Sequence, residues 1–189
     1  FDACAHSIGS LRKGGVLKTI LDELEANIAF IRSDPQDIII TSNGKIAFHN
    51  DLDMTIKQFQ DRFPQESINI NRFFYYLNNC NGLSFNSLKN ITFQYLLEQH
   101  FEDKQLMAVL SLLVLGNTGL PASRVSAFTA VALYKEFMLD GGYYPEKGMQ
   151  QLPDVLLQRF KRLGGDIFSP SFVNKIKNRE GILFSDLDL

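Results

Sequence analysis

The dipeptide Asn43-Gly44 constrains the fold of this chain more than any other short feature. It separates two runs rich in β-branched residues within the stretch "DIIITSNGKIAFHN". Asn-Gly readily adopts the two positive φ values of a type I′ turn, which joins antiparallel strands. The sequence therefore predicts a β-hairpin near residues 37–49, with a type I′ turn at its tip.

Most of the remaining chain carries apolar residues at helical spacing. Helices are predicted near residues 16–24, from Leu52 to the proline at 64, at about 68–79, 88–100, 103–115 and 122–140, and from Met149 onward. Two strand-like runs separated by "NREG" follow near the end of the chain. The pattern predicts an α+β fold, with a mainly helical body, the hairpin near residues 37–49 and strand elements at the C-terminal end.

Charge and cysteine content exclude several classes of protein. The 189-residue chain has a net charge of −2 and no Lys/Arg run longer than two, so we expect no nucleic-acid partner. Its two cysteines do not form a disulfide framework and indicate a reducing compartment. We expect a cytoplasmic protein or one at the periphery of a membrane.

Familiar catalytic motifs are absent from the sequence. GxGxxG, GxxxxGK[ST], GxSxG and HExxH do not occur, so the chain lacks the usual residues for nucleotide binding, phosphoryl transfer or hydrolysis. The histidines and cysteines lack the spacing of a metal site, and we expect no metal. Catalytic residues remain unknown from the sequence.

Aromatic residues are abundant, with 16 phenylalanines concentrated in the predicted helices. They fit either an aromatic core or a cavity for a long apolar ligand, and the sequence alone does not separate the two. The longest apolar run, "LMAVLSLLVLG" at residues 106–116, is about half the length of a membrane-spanning helix. It predicts a buried helix or an apolar channel wall, with peripheral membrane contact as a further hypothesis.

Glycines lie on both sides of one predicted helix in "GGYYPEKGMQQLPDVLLQRFKRLGGDI", residues 141–167. These glycines fit the capping of two helices. They also fit a sharp turn that brings a helix N-terminus, with its partial positive charge, close to an anion or an electron-rich ring. Both interpretations remain open from the residues.

The same stretch resembles a motif of the phytoene desaturase and carotenoid isomerase branch of the FAD-dependent oxidoreductases, which includes the retinol saturases. The motif reads G-x-x-Y-P-x-G-G-M, a helix, then G-G-x-I. The opening "FDACAHSIG" is similar to F-D-x-G-x-H-x-x-G of that family, and the intervening strand, hairpin and helices follow its order. The chain departs from the family at Cys4 and Lys147, where glycines are usual.

This resemblance implies that residues 1–189 form one domain, the substrate-binding region of a larger flavoprotein whose GxGxxG unit is not in this sequence. It implies FAD in the parent protein, held mainly by the rest of that chain, so we expect residues 1–189 alone to be inactive. The substrate would be a long apolar polyene that is desaturated, saturated or isomerised. The alternatives are a non-enzymatic helical lipid-binding or interaction module, and the substrate domain of an amine or porphyrinogen oxidase.

The resemblance also implies two groups of site residues. Those expected near the cofactor are His6, Tyr144, Lys147, Gly148 and Met149. Those expected to line the substrate tunnel are Phe73, Phe74, Tyr95, Leu106 and Phe128.

Overall fold

The computed structural model describes residues 7–41, 44–169, 171–179 and 182–188. The helices in these ranges are α1 (Val16–Glu23), α2 (Leu52–Arg62), α3 (Ser67–Asn79), α4 (Gly82–Ser87), α5 (Phe93–His100), α6 (Lys104–Thr118), α7 (Ala127–Leu133) and α8 (Gln151–Arg162). The strands are β1 (Phe30–Arg32), β2 (Asp37–Thr41), β3 (Gly44–Phe48), β4 (Tyr143–Pro145), β5 (Phe172–Arg179) and β6 (Ile182–Asp188). The α+β fold predicted from the sequence is confirmed.

The predicted hairpin is present as antiparallel β2 and β3. Asp37 pairs with Phe48 at its base and Thr41 pairs with Gly44 at its tip. The type I′ turn itself was predicted at a dipeptide whose first residue lies outside the described ranges. A second antiparallel pair, β5 with β6, confirms the strand elements expected at the C-terminal end.

Helices α2 to α7 and one face of the hairpin form a helical body around the larger hydrophobic core. Its centre is aromatic: the Phe59 ring lies 5.1 Å from that of Phe48 and 5.4 Å from that of Phe74. Phe74 in turn approaches Phe73 and Tyr134. All five side chains are fully buried, so most of the helical aromatics pack against one another.

A buried carboxylate joins two helices of this body. Glu66, which is 5% exposed and precedes α3, accepts hydrogen bonds from the backbone N–H groups of Glu102 and Asp103 at 2.7 and 2.8 Å. Its other oxygen accepts from the Asn69 amide. Asp103 then caps α6 by accepting from the N–H groups of Gln105 and Leu106. Otherwise orphaned donors at the start of α6 are thereby satisfied.

Two predicted helices are interrupted in the structure. The helix predicted at 88–100 breaks because Ile91 is extended and its carbonyl accepts from the N–H of Ala127, after which Thr92 caps α5. The helix predicted at 122–140 begins only at Ala127, capped by Ser126, and its last six residues, Tyr134–Leu139, form a π-helix. Tertiary contacts between these two segments override the helical periodicity.

A smaller unit lies beside the helical body and comprises residues 7–32 and 143–163. Its core contains Leu11, Leu21 and Ala26, against which α8 places Leu152, Val155 and Leu156. No side chain of α8 is fully buried. Within the described residues, no helix combines the length and apolar character that crossing a bilayer requires.

Candidate functional site

The helical body and the smaller unit meet at a short antiparallel sheet. Strands β1 and β4 pair with Arg32 opposite Tyr143, and Ile8 pairs with Tyr143 from the other side. The Ile8 and Tyr143 backbones exchange two hydrogen bonds of 2.8 and 2.9 Å. Three separate segments of the chain are therefore held together at Tyr143.

The glycine pair before β4 fits this crowded junction. A methyl group at Gly141, whose φ is +98°, would lie 2.6 Å from Nε of Arg32 and 2.7 Å from Oδ1 of Asn50. At Gly142 it would lie 3.1 Å from Cβ of Ser7 and Cδ of Gln36. Close backbone approach therefore explains this pair, in addition to the helix capping considered from the sequence.

Charged groups surround the end of the π-helix at the same junction. The Asp140 carboxylate is buried and forms an ion pair of 3.0 Å with Arg12, which also contacts Glu136 at 3.3 Å. Burial opposes the charge of Arg12, but the hydrogen bonds and charges of Glu136 and Asp140 raise its pKa above the ordinary value. Arg32 donates to the Asp140 carbonyl at 2.9 Å. These contacts fix the chain where it leaves the helical body.

The loop after β4 exposes backbone next to a tyrosine. The N–H of Gly148 donates to the Pro145 carbonyl at 2.9 Å, and the N–H of Lys147 donates to the Gln151 side chain at 3.2 Å. Gly148 has a φ of +88°, and a methyl group there would meet only the Tyr144 hydroxyl, at 3.9 Å. Among the described residues, the space above Gly148 is thus open to a flat group.

A cavity of about 320 Å³ lies near this junction, between the hairpin and α6. Its polar wall includes Ser7, Gln36 and Asp37, and its apolar wall includes Phe48 and Leu113. Oε1 of Gln36 is buried without a hydrogen-bond partner. Burial raises the pKa of the Asp37 carboxyl, which forms no hydrogen bond or ion pair with any described residue. The wall thus presents two acceptor groups that lack donors.

The residues predicted near a cofactor have different environments. Tyr144 and Gly148 are half-buried and Lys147 is exposed, whereas Met149 is only 8% exposed. Tyr144 lies in β4 and the other three lie in the loop that follows it, and His6 lies outside the described residues. Their cofactor role stays a prediction.

The five residues predicted to line a substrate tunnel are not brought together. Phe73, Phe74 and Leu106 are fully buried in the core of the helical body, and Tyr95 is 50% exposed on its surface. Phe128 stacks on Phe85 with ring centroids 4.3 Å apart. The cavity described above is lined by none of the five, and their substrate role stays a prediction.

Sequence reasoning missed Gln36 and Asp37. The signal was available, because Asp37 opens a strand whose next three residues are all isoleucine. Asp is depleted in β-strands, so an Asp at the start of such a run indicates a role other than strand formation. The pairing of β1 with β4, which brings residue 7 near Gln36, could not be predicted because the two strands have three residues each and are distant in sequence.

Comparison with solved structures shows a fold shared with part of putrescine oxidase. The chain is similar to a solved structure of putrescine oxidase, a triple mutant with redesigned cofactor binding, at a TM-score of 0.56 and 19% identity. The match covers 91% of this chain and 41% of that one. Wild-type putrescine oxidase bound to putrescine matches with a TM-score of 0.49 and 21% identity, over 90% of this chain and 41% of its own.

No family model matches the sequence, and no curated protein matches it. The low identity of the solved structures means that they show a shared fold and not a shared activity. The comparisons bear out the sequence resemblance only in part: the chain shares its fold with part of putrescine oxidase, and the phytoene desaturase branch is not singled out.

Proposed function

We propose that this chain is the substrate-binding region of an FAD-dependent oxidoreductase that acts on a long apolar molecule of the polyene class. The observation that carries the flavoprotein part of the proposal is the fold match to part of putrescine oxidase across 91% of the chain. The apolar substrate is supported by the bulky apolar lining of the cavity, Ile39, Phe48 and Leu112. The Tyr-Pro motif supports it, because its residues Tyr143–Pro145 form the strand that joins the helical body to the smaller unit.

An open apolar surface on the smaller unit supports a partner for this region. Besides the face that meets its own core, α8 exposes Leu157 and Phe160, and Leu163 is exposed directly after the helix. Further along the chain, Phe168 is 60% and Phe172 is 71% exposed. Apolar side chains clustered at a surface mark an interaction site more often than chance exposure. The proposed occupant is the FAD-binding remainder of the parent chain.

The loop at Gly148 fits the approach of a flavin ring. Space above Gly148 is open, its positive φ favours glycine, and Tyr144 and Lys147 flank it. Bound FAD would supply the redox chemistry, as cofactors do in such enzymes. Tyr144, Lys147 and Gly148 would contact the cofactor, while the hairpin and α6 would hold the substrate and exclude water.

An amine substrate is the second candidate. The observation that favours it is the fold match itself, since the solved structure is of an enzyme named for putrescine. Asp37 adds a carboxylate without a cationic partner among the described residues. Against a small diamine, the lining of the cavity beside Asp37 includes the bulky apolar residues Ile39, Phe48, Leu112 and Leu113.

The gene that encodes residues 1–189 provides the first test. The proposal expects a GxGxxG motif upstream of Phe1 in the same reading frame. It also expects that purified residues 1–189 bind added FAD weakly, with absorbance titration giving far less than one flavin per chain. If residues 1–189 alone bound close to one flavin per chain, the proposal that the rest of the parent chain holds FAD would be contradicted.

A matched pair of variants in the longer protein tests the flavin contact. Gly148→Phe should reduce the bound flavin at least about tenfold, because a bulky ring would fill the open space above the loop. Gly119→Phe is the control, since Gly119 ends α6 at a φ of +68° with nothing within 4 Å. Equal flavin content in the two variants would remove Gly148 from the cofactor site.

A further inference from the structure

Helix α6 is apolar on more than one face. Leu106, Val109, Leu110, Leu113 and Val114 are buried in the core of the helical body. Two further leucines on this helix, at positions 112 and 115, are 45% and 42% exposed. A helix that is apolar on several faces normally lies fully inside a protein. The exposed apolar positions of α6 therefore call for a covering group.

Two cavities lie along one face of α6, and both are also lined by the hairpin. The first, of about 320 Å³, involves Leu112, Leu113, Gly116 and Asn117 of the helix. The second, of about 270 Å³, involves Gln105, Ala108, Val109 and Leu112. Leu112 lines both cavities and separates them. Together they form what we call the α6 groove, which at 1.5 Å per helical residue is about 18 Å long.

The two ends of the α6 groove differ in chemistry. At one end are the Asp37 carboxylate and the buried, unpaired Oε1 of Gln36. Both groups accept hydrogen bonds and neither can donate one from these oxygens. At the other end is Arg62, half-buried and without a hydrogen bond or ion pair to any described residue. The walls between the ends include Ile39, Ile46 and Leu112, which are apolar.

We propose that the α6 groove binds an elongated apolar molecule whose single polar head carries an N–H or O–H donor and lies against Asp37 and Gln36. The donor head satisfies two acceptors that have no donor among the described residues. The apolar body covers Leu112. This inference deepens the proposed function by assigning the place and polarity of its substrate.

Arg62 favours a molecule with one head over a diamine. The methylene stem of an arginine can cover an apolar tail while its guanidinium faces water. A second ammonium group at that end would instead lie beside the Arg62 cation. Charge complementarity thus fixes the orientation of the ligand, with its head at Asp37 and its tail at Arg62.

Three probes with the same chain and different heads test this polarity: dodecylamine, dodecanol and dodecanoate. Calorimetric titration of residues 1–189 near neutral pH, below micelle formation, should show binding of the amine and the alcohol. Dodecanoate, which offers no donor when ionised, should bind at least about tenfold more weakly. Equal affinity for all three heads would overturn the assignment of the head site.

Variants of the groove locate the binding. Asp37→Ala should weaken dodecylamine binding about tenfold, because the charged acceptor is lost. Leu112→Glu should abolish binding of dodecylamine and dodecanol, because it places a charge between the two cavities. Leu115→Glu is the matched control, since Leu115 is similarly exposed on α6 but lines neither cavity. Equal losses in the two leucine variants would overturn the proposal.

Failure of this inference is distinguishable from failure of the proposed function. If no probe binds, or if methyl NMR shifts on dodecylamine addition fall outside Val109, Leu112 and Leu113, the α6 groove is not the ligand site. The flavoprotein proposal would then still stand or fall on the GxGxxG motif and on the flavin content of the Gly148 variant.

Discussion

The helical body and the smaller unit differ in how completely they bury their apolar residues. In the body, the rings of Phe59, Phe73 and Phe74 are fully enclosed. In the smaller unit, α8 contributes Leu152 and Val155 to the core but buries no side chain completely. The core of the helical body is therefore closed, whereas the core of the smaller unit is covered only in part by the described residues.

This contrast separates buried apolar residues from exposed ones, which follow the same spacing in the sequence. Aromatic and aliphatic residues occur at helical spacing in both regions, but the chain covers more of them in the body than in the smaller unit. The apolar surface of the smaller unit is therefore where the proposed function expects a partner, and the apolar interior of the body is structural. The α6 groove is one place in the body where an apolar side chain, Leu112, remains exposed.

The largest expected effect comes from truncating one phenylalanine in each region. Phe73→Ala should lower the free energy of unfolding by about 3–5 kcal/mol, because this ring is enclosed by Phe74, His100 and Phe101. Phe160→Ala in α8 of the smaller unit, at a position that is 50% exposed, should lower it by no more than about 1 kcal/mol. Urea denaturation measures both, and similar losses would remove the contrast between the regions.

Next in size is the loss of the buried carboxylate. Glu66→Gln should destabilise the body by roughly 2 kcal/mol, because the hydrogen bonds from Glu102 and Asp103 lose a charged acceptor. Glu98→Gln on the exposed face of α5 is the control. Thermal unfolding followed by circular dichroism compares them, and an equal shift in the two would refute the role of Glu66.

The same variant pair gives a pH dependence with a defined sign. Burial favours the neutral form of Glu66, but its hydrogen bonds with Asn69, Asp103 and Glu102 outweigh burial and lower its pKa below 4.5. A carboxylate with a lowered folded-state pKa adds stability above its unfolded pKa and loses it as the pH falls through the folded value. The difference between wild type and Glu66→Gln should therefore shrink on acidification below pH 4.5.

A smaller effect is expected where the two regions meet. Gly141→Ala should cost roughly 1 kcal/mol, because the added methyl group would overlap the side chains of Arg32 and Asn50 and the φ of +98° is strained for alanine. Gly14→Ala, with a φ of +78° and nothing within 4 Å, isolates the backbone strain. If both variants lose equal stability in urea, the close approach at Gly141 contributes nothing.

The smallest expected effect is a gain in stability. Burial raises the folded-state pKa of Asp37, so its carboxylate opposes folding once the pH exceeds the unfolded value near 3.8. Asp37→Asn should therefore raise the free energy of unfolding near neutral pH by less than about 1 kcal/mol, which a higher melting temperature would show. This gain should vanish on acidification. Exposed Asp61→Asn is the control. A loss of stability in Asp37→Asn would show that the carboxylate has a structural partner.

Local patterns in the sequence predicted the elements better than their arrangement. The Asn-Gly turn signal and the apolar spacing from Leu52 both identified real elements, because each depends on neighbouring residues. The break at Ile91 was not predictable, since it depends on a hydrogen bond from Ala127, 36 positions away (127 − 91). A backbone hydrogen bond between residues so far apart produces no periodic pattern in the sequence.

The candidate site was predicted in part. The glycines and Tyr144 drew attention to the junction because their spacing carried a resemblance. Asp37 and Gln36 were missed because nothing in the sequence shows that the chain near residue 7 and helix α6 close around them. The resemblance also implied a substrate role for Phe73 and Phe74, which the structure places in a closed core.

The pairing of β1 with β4 means that the chain enters and leaves the helical body through adjacent strands. The N–H of Ser33 donates to the Gly142 carbonyl at 2.9 Å and joins the two segments through which the chain enters and leaves the body. Everything between these two residues is topologically an insertion. Residues 34–141 could therefore be exchanged as one unit at this pair of strands, leaving the smaller unit unchanged.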